Sequence, residues 1–391
     1  MSHAAIAIPG LDRIGGAERQ AMLLAKGLRR RGWRVSMVAL SGTGGDAAAE
    51  LRNAGVGFIS LEMRKGLADP RGWLRFHRWL WREQPDVVHA HLPHAAWLAR
   101  WSRLAAPVPV VIDTLHSSCT GRMGRQLGYR CSRWLPDHVT AVSQATAEAH
   151  LVAGMVEADH LSVLGNGIEV DAWRPDAQVR AAMRRELGLA GEFLWIAVGR
   201  LEPVKDYPAM LQALAGQPGT ARLLVLGAGP LETELVQLAA RLGIERRVRF
   251  QGFEPNVKRW IQAADGFVLS SRYEGLPMVM LEAGACGLPA VATDVPGTRE
   301  VLADGENGWL APAGDPQALA AAMARLMRAP IEERRAMGER ARQRVAYRFR
   351  LDNVLDRWER LYEELLHGKR AARRTRPAVR ENLSRQSAAS A

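Results

Sequence analysis

The fold class predicted by this sequence is α/β: two doubly wound domains in tandem, each a parallel sheet wrapped by helices. Three observations predict it. Short apolar runs alternate with longer stretches of helical periodicity along most of the chain, the alternation that builds parallel sheets from βαβ units. The runs fall into two series, separated by "NGIEVDAWRPDAQ" at residues 166–178. A length of 391 residues accommodates two domains of ordinary size.

In order along the chain, the first series is "AAIAIPG", "RVSMVAL", "GVGFISL", "PDVVHAH", "VPVVIDT" and "DHVTAVS". The second is "FLWIAVGR", "ARLLVLGAG", "RVRFQGF", "GFVLSS", "PAVAT" and "NGWLAP". Each series predicts one complete parallel sheet, with strand C-termini turned to a shared cleft where such folds place ligands. The predicted boundaries are an N-terminal domain at 1–175 and a second domain at 176–346. A helix then follows at 347–366. Its stretch "LDNVLDRWERLYEELL" carries Val354, Leu355, Trp358, Leu361, Tyr362, Leu365 and Leu366 as one apolar stripe, which predicts packing back onto the N-terminal domain. Past His367, Arg, Ala and Ser dominate, and residues 367–391 read as a basic disordered tail.

Composition is that of a globular protein, 48% hydrophobic and 24% charged. No apolar run reaches the roughly 18 residues of a membrane span, and "MSHAAIAIPGLDR" reads as a first strand rather than a secretory signal. Cys119, Cys131 and Cys286 form no CxxC, so a reducing cytoplasm is the expected compartment. The net charge of +12 is uneven: +6 over residues 1–175, zero over 176–366 and +6 over 367–391. An anionic partner would therefore meet the first domain and the tail.

The chemistry concentrates in "SRYEGLPMVMLEAGACGLP", residues 271–289. Glu274 and Glu282 resemble an acid/base pair, but eight helical positions span roughly 12 Å, beyond the roughly 5–9.5 Å of paired glycosidase carboxylates. Pro277 suits a first helical turn, leaving Glu274 in the preceding loop and Glu282 inside the helix. Between them lie a positive dipole end and the free N–H groups of Leu276, Met278 and Val279, an arrangement that binds phosphate. An elongated ligand with a central diphosphate would then meet one glutamate near each end, as a nucleotide sugar would. "AVGRLEPVKDY" places Arg200 and Lys205 after a strand, suited to neutralising a diphosphate. Gly15-Gly16, between the first strand and a helix starting near Ala17, permits close approach of an anion.

These residues carry a resemblance. "GGAERQ", "GRLEPVKDY", "VLGAGPLETEL", "VRFQGFEPNV" and the segment 270–312 resemble the retaining glycosyltransferases of family 4, of GT-B fold. The likeness runs from residue 4 to about 366 and includes "AVSQATAEAH" and "LGNGIEVDAWRP". It implies that Glu274 bonds hydroxyls of the donor sugar, Glu282 holds the ribose, and Arg200 and Lys205 stabilise the departing nucleoside diphosphate. It implies that Gly16 and the backbone of Gly275, Leu276, Met278 and Val279 bind phosphate or sugar, and that His116 contacts the donor sugar. Phe253 and Gly227 would lie near the base. Pro277, lacking an N–H, cannot donate as the residue there does in some relatives. The resemblance further implies catalysis without a metal or other cofactor, front-face attack with retention, and an acceptor that is a lipid-linked or cell-surface glycan, as in lipopolysaccharide or polysaccharide synthesis. A UDP-sugar is preferred to a GDP-sugar, although no residue decides it. A nucleotide-sugar epimerase and a non-catalytic nucleotide-sugar-binding protein stay open as alternatives.

Other signals point elsewhere. In "VLGAGPLE", Glu232 stands where a dinucleotide fingerprint needs Gly or Ala. His89, His91 and His94 of "HAHLPH" have metal-like spacing without a carboxylate or Cys cluster beside them, and read as a strand end lining the cleft. In "PRGWLRFHRWLWREQP", Trp73, Phe76, Trp79 and Leu80 form an apolar face flanked by Arg71, Arg75, Arg78 and Arg82. That face suits either the first sheet or an anionic membrane surface, the latter placing the chain peripherally at the inner face of the plasma membrane. No nucleic-acid module is present to make the charge a specific nucleic-acid site.

Overall fold

The computed structural model describes residues 1–64 and 69–388, with side chains as far as Ala371. The chain divides into two compact units. One comprises Met1–His116, Thr120–Leu164 and Asp352–Ala391, the other Ser117–Cys119 and Gly165–Leu351.

The first unit holds a seven-stranded sheet: β1 (His3–Ile8), β2 (Arg34–Ala39), β3 (Gly57–Ser60), β4 (Val87–His91), β5 (Val110–Leu115), β6 (His138–Ala141) and β7 (Leu161–Val163). All pairs are parallel and the order is β3-β2-β1-β4-β5-β6-β7. Burial on both faces explains why β1, β4 and β5 are buried along their lengths and read as continuous apolar runs. The sequence predicted six strands here, and β7 is the seventh. It is three residues long and half-buried, so pairing with β6 defines it rather than any local pattern.

The helix Pro70–Glu83 buries Phe76, Trp79 and Leu80 in this unit's core, with Trp73 packed against it. Of the two partners open to that aromatic face, the first sheet takes it. Arg100 and Asp113 form an enclosed ion pair at 2.5 Å, extended by Arg100 to Ser132 Oγ at 3.0 Å. The pair joins the helix Pro93–Ser102 to β5.

The last helix, Leu351–Ala388, belongs to this unit. Leu355 lies where a Cβ on Gly27 would be, 2.5 Å from its Cδ1. Trp33 Nε1 donates to Glu359 at 2.9 Å, and Arg31 bonds Asp356 at 2.6 Å and Glu359 at 2.5 Å. The helix continues past Leu366, so residues 367–388, expected in a disordered tail, are helical; Lys369 pairs with Asp137 there. The side chains of the expected tail beyond Ala371 lie outside the described residues.

The second unit holds β8 (Phe193–Val198), β9 (Ala221–Leu226), β10 (Val248–Gly252), β11 (Gly266–Leu269), β12 (Ala290–Thr293) and β13 (Gly308–Ala311). The order is β10-β9-β8-β11-β12-β13, again wholly parallel. All six predicted runs are strands. Strand order reverses between β1 and β4 in one sheet and between β8 and β11 in the other, and in such sheets ligands bind at the carboxyl ends of the strands at the reversal.

Candidate active site

The loops leaving β8 and β11 bring the predicted cation and carboxylate together. Lys205 Nζ donates to Glu274 Oε1 at 2.5 Å, with side chains 20% and 12% exposed. Ser271 Oγ donates to the same Oε1 at 2.6 Å. Oε2 has no hydrogen bond among the described residues, so one carboxylate oxygen is held and the other is free to accept from a ligand hydroxyl.

The loops themselves are tied by backbone contacts. Ser270 Oγ donates to Lys205 O at 2.7 Å, and Arg272 N donates to Val204 O at 2.8 Å. Arg272 Nε also bonds Asp206 Oδ2 at 3.0 Å, and Asp206 has the left-handed backbone of φ 46° that turns the chain after Lys205. The segment after Glu274 is braced from two sides. Asn166 Nδ2, buried, donates to Leu276 O at 3.2 Å, and Ser118 Oγ donates to Glu274 O at 3.3 Å. Opposite, Gly297 approaches so closely that a Cβ there would fall 2.6 Å from the carbonyl oxygens of Glu274 and Gly275.

Pro277 is the N-cap of the helix Met278–Ala285, one position earlier than predicted. The N–H groups of Leu276, Met278 and Val279 make no hydrogen bond among the described residues. They stay available at the positive end of the helix. Glu282 is buried inside that helix at 3% exposure.

Other predicted residues are placed differently. Arg200 is 72% exposed and pairs with Glu202 at 2.9 Å, not with the Glu274 cluster. Gly227 donates its N–H to Gly252 O at 2.7 Å, and its Cβ would sit 1.9 Å from Gly199 O. Its glycine is thus required by the meeting of the β8 and β9 ends, and its N–H is engaged. Phe253, next to Gly252, is 67% exposed.

In the first unit Gly16 opens the helix Gly16–Arg30, and the N–H of Gly15 donates to Glu18 Oε2 at 3.0 Å. A carboxylate of the chain itself already sits at that helix start. His116 follows β5, and its Nε2 lies 2.8 Å from His91 Nδ1. Burial pushes the His116 imidazole down to about 4 and His89 down to about 3, and it holds His91 well below the ordinary value. All three rings are neutral at pH 7.

Sequence reasoning missed Ser271, Asn166 and Gly297. Ser271 had a readable signal, a hydroxyl three positions before a loop carboxylate. Asn166 and Gly297 stand within the motifs "LGNGIEVDAWRP" and 270–312, but their bracing contacts, 110 and 23 positions away in sequence, were not readable there.

Known protein families and structures resemble this chain over most of its length. The family model described as glycosyl transferases group 1 matches residues 179–344, and that described as Glycosyltransferase Family 4 matches residues 14–172. The chain is 30% identical over 297 residues to N-acetyl-alpha-D-glucosaminyl L-malate synthase of Bacillus anthracis, covering 73% of this chain and 76% of that protein. It is 26% identical over 352 residues to the lipopolysaccharide core biosynthesis glycosyltransferase LpsE of Rhizobium meliloti, covering 89% and 95%. Among solved structures, Anabaena Alr3699/HepE in complex with UDP-glucose superposes with a TM-score of 0.83 at 22% identity, over 93% of this chain and all of that one.

Proposed function

Since the chain belongs to the family 4 glycosyltransferases, a GT-B enzyme class, we propose that it transfers a sugar from a UDP-sugar, with retention, to a hydroxyl of a lipid-linked or cell-surface glycan. The observation that carries the reading is the Lys205–Glu274–Ser271 cluster beside the unpaired amides of the Met278 helix. Glu274 Oε2 would accept a hydroxyl of the donor sugar. The amides, Lys205 and Arg200 would stabilise the departing diphosphate as fixed charges and dipoles aimed at the developing anion, without a metal. Glu282 would hold the ribose, His116 would contact the donor sugar, and Phe253 would lie near the base.

LpsE and HepE support a role in lipopolysaccharide or polysaccharide synthesis and a UDP-sugar donor respectively, since their names speak of lipopolysaccharide core and of UDP-glucose. Among the described residues no helix is long and apolar enough to cross a membrane. The exposed Trp81, Trp101 and Trp134 of the first unit, set among arginines, support peripheral attachment to an anionic membrane surface.

A thermal-unfolding panel of UDP-glucose, UDP-galactose, UDP-N-acetylglucosamine and GDP-mannose tests the donor. One UDP-sugar should stabilise the chain by about 2.7 kcal/mol at a hundredfold excess over its Kd, and transfer should persist in EDTA. Stabilisation by GDP-mannose alone would overturn the donor assignment. Epimerisation of a donor incubated by itself would establish the epimerase instead, and transfer undiminished in Lys205→Ala would remove the cluster from the reaction.

A further inference from the structure

The three histidines of "HAHLPH" have no part in the reading above, yet two of them are among the most enclosed polar side chains of the first unit. His89 lies inside β4 with both nitrogens bonded, Nδ1 to Tyr362 Oη at 2.7 Å and Nε2 to Thr114 Oγ1 at 2.6 Å. His91 ends the strand at 1% exposure. Its Nδ1 faces His116 Nε2 at 2.8 Å, whereas its Nε2 is enclosed with no partner among the described residues. His116 is half-buried, and its Nδ1 makes no hydrogen bond among the described residues.

Two neutral imidazoles that meet nitrogen to nitrogen need one N–H and one bare nitrogen at the contact. Were His116 the donor, His91 would carry its own proton on Nε2, an enclosed N–H with nothing to accept it. With His91 as donor, the enclosed nitrogen is a bare lone pair, on a ring whose centroid lies 4.2 Å from that of His89. Orphaned buried N–H groups are the rarer defect in proteins, because the exposed partial charge of the proton is the harder to leave unsolvated.

The geometry points to His91 as a positioning residue for His116. It donates from Nδ1 to His116 Nε2 and so holds His116 as the Nδ1–H tautomer, with its ring orientation set and an N–H to offer an oxygen of the donor sugar. The assignment rests on the donor-sugar role proposed for His116. Free histidine prefers the opposite tautomer, Nε2–H. Without His91, the His116 ring would turn freely and present a bare Nδ1 where it had presented a donor. His91 touches no reacting atom in this scheme; it acts through His116 alone.

The test compares the full chain with His91→Ala and His91→Asn, the amide Nδ2 of Asn being able to donate in place of the imidazole. The first readout is ring 15N–1H correlation of histidine-labelled protein at neutral pH. The second is nucleotide release from UDP-glucose, UDP-N-acetylglucosamine and GDP-mannose. The parent protein should show His116 protonated on Nδ1 and bare on Nε2. His91→Ala should reverse that pattern and lower kcat about 10- to 100-fold, and His91→Asn should restore both. His116 protonated on Nε2 in the parent overturns the proposal, as does His91→Ala with unaltered tautomer and kcat. Should His91→Ala fail to fold, the parent spectrum and the Asn variant decide the matter. Undiminished nucleotide release in His116→Ala would overturn the role given to His116 itself, while the spectra still decide what His91 does.

Discussion

Lys205 and Ser271 meet Glu274 at one oxygen, which fixes the carboxylate plane while leaving Oε2 to a ligand. Both Lys205 and Glu274 were legible in the sequence, but their ion pair was not, because the two lie 69 positions apart on different loops. Arg200 was legible as a cation at a strand end. Its position 72% exposed on Glu202, away from that cluster, was not. The asymmetry at Glu274 predicts unequal variants. Lys205→Ala should lower kcat about 100- to 1000-fold by removing a charge aimed at the leaving group. Ser271→Ala should cost about tenfold, mostly in the donor KM, the scale of one hydrogen bond to a charged group. Steady-state kinetics with the donor identified by the stabilisation panel separates them. Equal losses in kcat would mean that the two residues act as one unit.

At the scale of elements, the helices Pro70–Glu83, Pro93–Ser102 and Met123–Ser132 follow β3, β4 and β5, whose connections advance in one direction across the sheet. Right-handed crossovers put all three on the same face, where neighbours pack side by side. Their inner stripes are satisfied by the sheet. Their outer side keeps Leu74, Trp81, Trp101, Met123 and Leu127 exposed, and Leu104 and Trp134, just past two of the helix ends, are exposed as well. An amphipathic pattern shows that a helix has an apolar face, but it does not say which residues are left over after packing. The basic–aromatic segment was therefore legible as a motif, while its exposed members were decided by the sheet. If this side meets a membrane, flotation with phosphatidylglycerol vesicles should exceed that with phosphatidylcholine vesicles and fall as salt is raised. Trp81→Ser combined with Trp134→Ser should weaken it without altering thermal unfolding. Flotation indifferent to anionic lipid and to salt would remove the membrane from the proposal.

For the molecule as a whole, the buried histidines couple stability to pH. His116 at about 4, His89 at about 3 and His91, well below its ordinary value, are held neutral by burial, whereas in the unfolded chain each titrates near 6.5. Between those values the unfolded state binds more protons, so stability rises with pH across the window and is fully present above about 6.5. Urea midpoints should be level above pH 7 and should fall as pH drops from 6.5 towards 4. His89→Phe, judged by the slope rather than the absolute midpoint, should flatten that fall. A midpoint constant to pH 5 would show that these rings are not buried as neutral groups.

The sequence by itself determined two parallel sheets, twelve of their thirteen strands, and the loops that carry the cations and carboxylates, because strands buried on both faces and helix starts leave local patterns of apolar run, glycine and proline. Tertiary structure alone decided β7, the shared oxygen of Glu274, the Gly297 brace and the His91–His116 contact. Each of these depends on residues distant in the chain coming together, Lys205 with Glu274 among them. Such an approach is set by how neighbouring strands end and not by any run of residues that can be read in order.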